Sequence, residues 1–436
     1  MILTRKLGII ALTIYTLFVT VLRAFRPPND FAEAHWLLDY RYGFVKRGLI
    51  GEIFSLITGY LSIPVTAQLI FILATVAFLI YCVLIIALSL RIVQRSGWST
   101  EAVVVSLVFL SSPFVVMSAH LVGYYDNIII VLGIVSIALL LKGRPWLGAC
   151  LQVPALLTHE NSIILIFPLF CLAWLLVNSR RQKLGVPLLP FLPLLLPICT
   201  FLAIAASPKL FLDEDFVKSY TAHLSQFPFI QEKRNTIVPA LIARSFLDYY
   251  ATQSKVFADR ISVAAMYGLI LPTSLAILCF AARVYKIRNL SAEAFVLLGV
   301  CLAPQLMHLV AWDTGRIWTY TILCAYLALW IYSELVTPHE DSSTNRLLCF
   351  AALITNVVIL TPLMDHEADR YTLVARLILY APVILGSLAL ILDEGNTSVV
   401  ERLSIQGLGI SKLLYPTNRS GISAPVHGVE LETPEH

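Results

Sequence analysis

The sequence predicts an all-α polytopic membrane protein, on three observations. Of 436 residues, 58% are hydrophobic and only 13% are Asp, Glu, Lys or Arg. Soluble domains carry about 25% charged residues, and lipid is the medium that can cover the surplus apolar surface. Apolar runs long enough to cross a bilayer recur from one end of the chain to the other, and most of the basic residues fall between alternate runs. The same composition excludes an ordinary soluble enzyme, a disordered regulator and a nucleic-acid binder, so no nucleic-acid partner is expected. The net charge of +4 is small, and its distribution matters more than its size.

Taken in order, the runs place spans at Leu7–Leu22, Gln68–Leu90, Ala102–Ser118, Asn127–Leu141, Leu147–Leu157, Ser162–Val177, Val186–Ala206, Ile261–Ala282, Ala292–Leu309, Ile317–Val336, Leu347–Leu363 and Leu373–Leu392. That is about twelve transmembrane helices. Arg23 and Arg26 follow the first run where a signal peptide would show a small-x-small cleavage site, so this run is read as an uncleaved span. The stretch Leu147–Val177 reads either as one long tilted helix or as two short ones broken around Thr158–Asn161. Charge arbitrates. Arg5/Lys6, Arg91/Arg95, Lys142/Arg144, Arg180/Arg181/Lys183 and Arg283/Lys286/Arg288 share one side only if that stretch crosses twice. Both termini are then cytoplasmic, and the short outer loops hold almost no basic residue except Arg316 and Arg370. The exception is the first outer loop, residues 23–67, whose basic residues require a reason. Residues 207–260 form a long outer loop with mixed charge and several aromatics, a candidate lid of one or two helices. Residues 261–392 supply the C-terminal spans. Residues 393–436 form a polar cytoplasmic tail, expected to be poorly ordered.

The eight cysteines (Cys82, Cys150, Cys171, Cys199, Cys279, Cys301, Cys324 and Cys349) all lie in apolar runs without CxxC or zinc-ligand spacing. They read as small buried hydrophobes, and no metal ligand set is assigned. Carboxylates and phosphate suit Mg²⁺ or Mn²⁺, but no spacing demands a divalent cation, and the cofactor stays unknown. P-loop, dinucleotide and nucleophile-elbow motifs are all lacking.

Functional signal comes from ionisable residues gathered on the outer side. Such groups are costly at membrane depth and mark functional paths. In the first loop Pro27-Pro28 stops the first span, Asn29-Asp30 caps a short helix, and Phe31, Ala34, Leu37 and Leu38 recur at helical spacing among aromatics. An interfacial helix of this kind aims Glu33 or Asp39 at the membrane surface, with Lys46 and Arg47 at headgroup depth. It reads either as a plain lipid-surface helix or as a carboxylate base beside a phosphate clamp. Asp126 opens the fourth span, either as a helix cap or as a ligand-orienting acid. His159 and Glu160 lie between two apolar runs, where a charge needs a partner. Asp313 and Arg316 stand three apart at a helix start, as a mutual ion pair or with Arg316 left to bind a phosphate bidentately. Asp365, His366, Asp369 and Arg370 add a further outer cluster.

The acidic first loop, Asp126 at the head of the fourth span and the short pair in "KGRPWLGACLQVPALLTHENSIILIFPLF" together resemble the GT-C fold membrane glycosyltransferases that use polyprenyl-phosphate-linked sugars. The likeness covers mainly residues 1–206, a GT-C-like catalytic transmembrane module. Many such enzymes show adjacent acids in the first loop, whereas here Asp30, Glu33 and Asp39 stand apart. The resemblance implies a multi-pass protein of the bacterial inner membrane whose active site faces away from the cytoplasm. It would transfer a hexosyl or pentosyl unit from a lipid-linked donor to a glycan or lipid acceptor in cell-envelope polysaccharide synthesis. It also implies Asp39 as catalytic base, with Asp30 second. Lys46, Arg47 and Arg316 would meet the phosphate, while Asp126, His159, Glu160 and Asp313 line the substrate site. Asp39→Asn would then abolish transfer. Two other readings stay open: a polysaccharide polymerase joining lipid-linked repeats, and a flippase or transporter for a lipid-linked solute. The latter predicts polar residues near the midplane and an inverted repeat, and neither is present. A non-enzymatic scaffold would not need the clustered His and carboxylates at all.

Overall fold

The computed structural model describes residues 2–183, 192–211, 214–230, 246–262, 271–287, 291–311, 313–338, 345–364 and 369–414. Asp365 and His366 of the last outer cluster, and residues 231–245 of the long loop, lie outside the described residues. Every regular element among the described residues is helical. In chain order these are α1 (Ile2–Leu22), α2 (Asp30–His35), α3 (Leu49–Tyr60), α4 (Ala67–Arg95), α5 (Thr100–Leu110), α6 (Pro113–His120), α7 (Asp126–Leu141), α8 (Pro145–Thr158), α9 (Ser162–Leu165), α10 (Phe167–Lys183), α11 (Leu192–Phe211) and α12 (Glu214–Leu224). The second half adds α13 (Phe246–Gln253), α14 (Phe257–Ser262), α15 (Leu271–Val284), α16 (Ala292–Leu302), α17 (Thr314–Leu335), α18 (Asn345–Val358) and α19 (Leu373–Leu414).

Among the described residues six stretches are long and apolar enough to cross a bilayer: Leu3–Leu22, Ala67–Arg95, Thr100–His120, Ser162–Ser179, Ala292–Leu309 and Leu373–Asp393. Several of the other expected spans are apolar helices of 10–17 residues, among them α7, α8, α15 and α18. Pro113 supplies the break inside the third stretch. Its ring cannot continue the α5 ladder but suits the first turn of α6. The break placed around Thr158–Asn161 is also present: α8 ends on an extended His159 (φ −158°, ψ 120°), and a new helix starts at Ser162. Of the expected tail, the part up to Leu414 is a continuation of α19, and residues 415–436 lie outside the described residues. The chain divides into two compact units, Met1–Leu388 and Ala389–His436. Everything below concerns the first.

The core of that unit forms around α17, which is buried at every position from Ile317 to Ser333. A helix apolar on all sides has no solvent face to present, and α17 packs against α4, α6, α10, α15, α16 and the 3-10 turn Ala303–Leu309. Its two ends differ in chemistry. At its C-terminal end Glu334 holds Arg91 at 2.7 Å and Arg95 at 2.8 Å. The starts of α1, α5 and α18 join that basic end through Lys6 over the Trp98 ring, Arg5 to Thr100, and Arg346 paired with Glu101. At its N-terminal end stand Asp313 and Arg316, and there the first loop, the α8–α9 break and the start of α7 gather.

Candidate functional site

The first loop owes its shape to a cap and a close approach. Asn29 accepts the Ala32 N–H at 2.9 Å and starts α2, as its side-chain chemistry requires. After His35 the chain does not continue as α-helix. Leu37 and Leu38 donate to the carbonyls of Ala34 and His35 at 3.1 and 3.2 Å, a tighter winding that carries the next residues off the α2 face. Farther on, Gly51 lets α3 lie directly on the Leu38 carbonyl, where any Cβ would collide. Arg47 turns the chain into α3 with φ 66°, a left-handed conformation costing about 1–2 kcal/mol for a residue with a Cβ. The Arg47 side chain shows what holds it there.

Arg47 donates from Nε and Nη2 to the two carboxylate oxygens of Glu160 at 2.8 and 2.6 Å. This two-pronged pair joins the first loop to the α8–α9 break. His159 Nδ1 lies 3.4 Å from the same carboxylate and accepts the Asn161 backbone N–H at 3.2 Å. On the α17 side Arg316 meets Asp313 at 2.7 Å and Asp126 at 3.3 Å, and Tyr320, one turn on, donates to Asp126. Asp126 is therefore not the cap of α7; the N-cap is Tyr125, without a side-chain bond, and the carboxylate is drawn to α17. Asp313 does cap α17 and also pairs with Arg316, so the two readings of that motif coexist.

These pairs surround one cavity of about 150 Å³. Lys46, Arg47, His159, Glu160, Asp313 and Arg316 all line it, together with His35, Tyr124 and Tyr125. Asp126 sits directly behind Arg316. Apart from Asn161, its remaining walls are apolar, among them Phe31 from α2, Phe201, Ile204 and Ala205 from α11, and Met364. Tyr249 of α13 closes one side, with the Lys46 ammonium 5.0 Å from its ring centroid. Part of the long loop thus lies over the cavity.

Burial sets the protonation states. Burial works against ionising Glu160, but the Arg47 guanidinium outweighs it and holds the carboxyl well below 4.5. Burial, helped by the Arg47 charge, keeps the His159 imidazole neutral by lowering its pKa below 6.5. Burial also brings Lys46 down to about 8, with Glu160 resisting, so its ammonium is retained at neutral pH. His35, fully enclosed and facing Arg47, is driven to about 3 and stays neutral, its Nδ1 2.8 Å from the Phe31 carbonyl.

Two expected site residues are elsewhere. Asp39, expected as catalytic base, does not line the cavity; the tight winding after His35 takes it into a separate groove, where Arg41 grips both its oxygens at 2.9 and 2.8 Å. Burial raises the Asp39 pKa, but the Arg41 hydrogen bonds prevail and the carboxyl ends below 3.8. Asp30 lines neither the cavity nor the groove. The basic first loop now has its reason: Arg23 pairs with Asp369, Arg26 donates to the His120 carbonyl, Arg41 holds Asp39 and Arg47 holds Glu160. Sequence reasoning did not assign His35, Tyr249 or Tyr320 to the site. For Tyr320 a signal existed, since it stands four residues after Arg316 on the same helix face. Among the described residues no cluster of three or more His, Cys, Asp or Glu has the arrangement of a metal site. Comparison with protein-family models, curated proteins and solved structures finds no match to this chain.

Proposed function

We propose that the chain is an integral membrane glycosyltransferase that takes a sugar from a polyprenyl-phosphate donor on the extracytoplasmic side. One observation carries the reading: five segments far apart in sequence bring three cations, two carboxylates and an apolar wall to a single cavity at one end of the membrane helices. Lys46, Arg47 and Arg316 suit a phosphate leaving group. Phe31, Phe201, Ile204 and Met364 suit the first isoprene units. The basic cluster around Glu334 lies at the opposite end of α17, which supports a cavity facing away from the cytoplasm. We assign the base to Asp313 in place of Asp39. Glu160 is clamped by two guanidinium bonds, which suits it to orienting hydroxyls. Asp313 accepts the acceptor hydroxyl proton as that oxygen attacks the anomeric carbon, and the phosphate departs toward Arg316 and Lys46. A positioned base contributes about 10²–10⁴-fold. Part of α13, with Tyr249 over Lys46, acts as a lid.

The test is binding of a polyprenyl monophosphate to the full chain in nanodiscs, read as a shift in melting temperature, with the corresponding polyprenol as control. The phosphate should stabilise the wild type, the alcohol should not, and Arg316→Gln should remove the difference. Equal shifts from phosphate and alcohol would overturn the assignment.

A further inference from the structure

The first loop has two sides. His35, Lys46 and Arg47 face the cavity, while Trp36, Asp39 and Arg41, interleaved with them in sequence, line a more open groove with Ser55 and Thr58 of α3 and His223 of α12. The phosphate chemistry proposed above uses none of the groove residues. Arg41 is held there from several directions: by Asp39 at 2.6 Å through Nη2, by Ser55 Oγ at 3.1 Å, and by His223 Nδ1 at 3.2 Å from Nη1. It is nevertheless 39% exposed, so a preorganised guanidinium edge still faces the groove. The Asp39 backbone is fixed in turn by Tyr220 of α12, which donates to its carbonyl and receives its N–H at 3.1 Å. The Trp36 indole is anchored by its N–H to the Gly123 carbonyl at 2.9 Å.

Charge separates this groove from the cavity. Asp39 and Arg41 cancel one another, and burial, reinforced by Arg41, lowers the His223 pKa and keeps the imidazole neutral. A phosphate entering here would meet a carboxylate and no surplus cation. The groove instead offers adjacent donors and acceptors (guanidinium, carboxylate, three hydroxyls, imidazole) beside three aromatic side chains, Trp36, Phe54 and Phe227. Those features suit an uncharged ligand with neighbouring hydroxyls on one face and C–H groups on the other. We propose that this groove binds a neutral carbohydrate, at a site separate from the phosphate cavity. Its role as the dock for the glycan part of the acceptor rests on the transferase reading; the binding itself does not.

The experiment is saturation-transfer NMR on the full chain in glycolipid-free nanodiscs, with neutral methyl glycosides and glucose 1-phosphate as probes. A neutral glycoside should give signal. Arg41→Gln should weaken its binding about tenfold, as expected for losing a charged hydrogen bond. Ser55→Ala should weaken it by a smaller factor, and Arg316→Gln should leave it unchanged. Should Arg41→Gln fail to fold, Ser55→Ala and Thr58→Val decide the matter alone. The proposal is overturned if no glycoside binds, if glucose 1-phosphate is preferred and depends on Arg41, or if glycoside binding survives the groove variants and falls with Arg316→Gln. Polyprenyl-phosphate binding with no glycoside signal removes the groove alone. Glycoside binding without polyprenyl-phosphate binding leaves the groove and removes the transferase role.

Discussion

Two clusters in this protein bury arginines on carboxylates at the ends of membrane helices, and they differ in what surrounds the second half of each guanidinium. In the first, Arg23 and Arg376 share Asp369 at 2.5 and 3.4 Å. Their other donors reach backbone carbonyls at the end of α18: Asn356 and Ile359 for Arg23, Val358 and Ile359 for Arg376. Those carbonyls have no partner within their own helix, so the two arginines serve as its C-terminal cap. The Arg23 and Asp369 side chains are completely inaccessible. In the second cluster Arg47 and Arg316 are equally well paired with acids, yet they line a cavity. The same residue types thus make a staple in one place and a receptive surface in the other. Sealing by helix carbonyls, not the ion pair itself, separates the two.

The sharpest way to break that comparison is to remove the central acid from each. Asp369→Ala strands two guanidinium groups in a sealed site, and removal of one partner from a buried pair costs about 3–5 kcal/mol. Its expected outcome is loss of folded protein, read by detergent-solubilised yield and melting temperature. Asp313→Asn keeps an N-cap residue of nearly equal quality, so melting should move little. Sugar transfer from a polyprenyl-phosphate donor should nevertheless fall about 10²–10⁴-fold. If Asp369→Ala melts like the wild type, or Asp313→Asn unfolds while Asp369→Ala does not, the distinction between staple and site is wrong.

What the sequence made legible follows the same line. Charges at membrane depth are expensive wherever they occur, so the segments carrying His159–Glu160, Asp313–Arg316 and Lys46–Arg47 stood out, and their convergence needed only the alternation of sides. The break between α5 and α6 at Pro113 was missed, since the apolar run Ala102–Ser118 reads as one span. The destination of Asp39 was not legible, because a switch from α to 3-10 winding after His35 leaves no mark in residue type. Neither was the pairing of Arg23 with Asp369, which comes from opposite ends of the chain and depends on how α1 and α19 pack. The continuation of α19 was hidden by Asp393 and Glu394, charges that end a span but not a helix.

Asp39 offers the next, smaller test. With Asp313 as base and the groove as acceptor dock, Asp39→Asn should raise the acceptor KM about tenfold while kcat stays within a few-fold, since the amide keeps some of the hydrogen bonds to Arg41. A drop in kcat alone, at unchanged acceptor KM, would restore Asp39 as the base and withdraw Asp313 from that role.

The smallest expected effect is on pH dependence, and it separates the wall of the cavity from the part of the same short helix that does not line it. Glu33 is lifted to about 7 by burial and by the neighbouring Asp30, whereas an unfolded chain would ionise it near 4.5. Between those values the folded state holds the extra proton, so stability falls as pH rises from about 4.5 to about 7. His35 acts in the opposite sense. Its folded value of about 3 lies below 6.5, the unfolded state binds the extra proton, and stability is lost as pH falls from about 6.5 to about 3. The two slopes overlap and partly cancel between 4.5 and 6.5. Melting temperature against pH should therefore drop on the acid side for His35 and near neutrality for Glu33. Glu33→Gln should remove only the neutral-side drop and leave the acid limb in place, while His35→Gln does the reverse. A Glu33→Gln profile that runs parallel to the wild type over the whole range would show that water reaches Glu33, and that α2 is sealed on its cavity side alone.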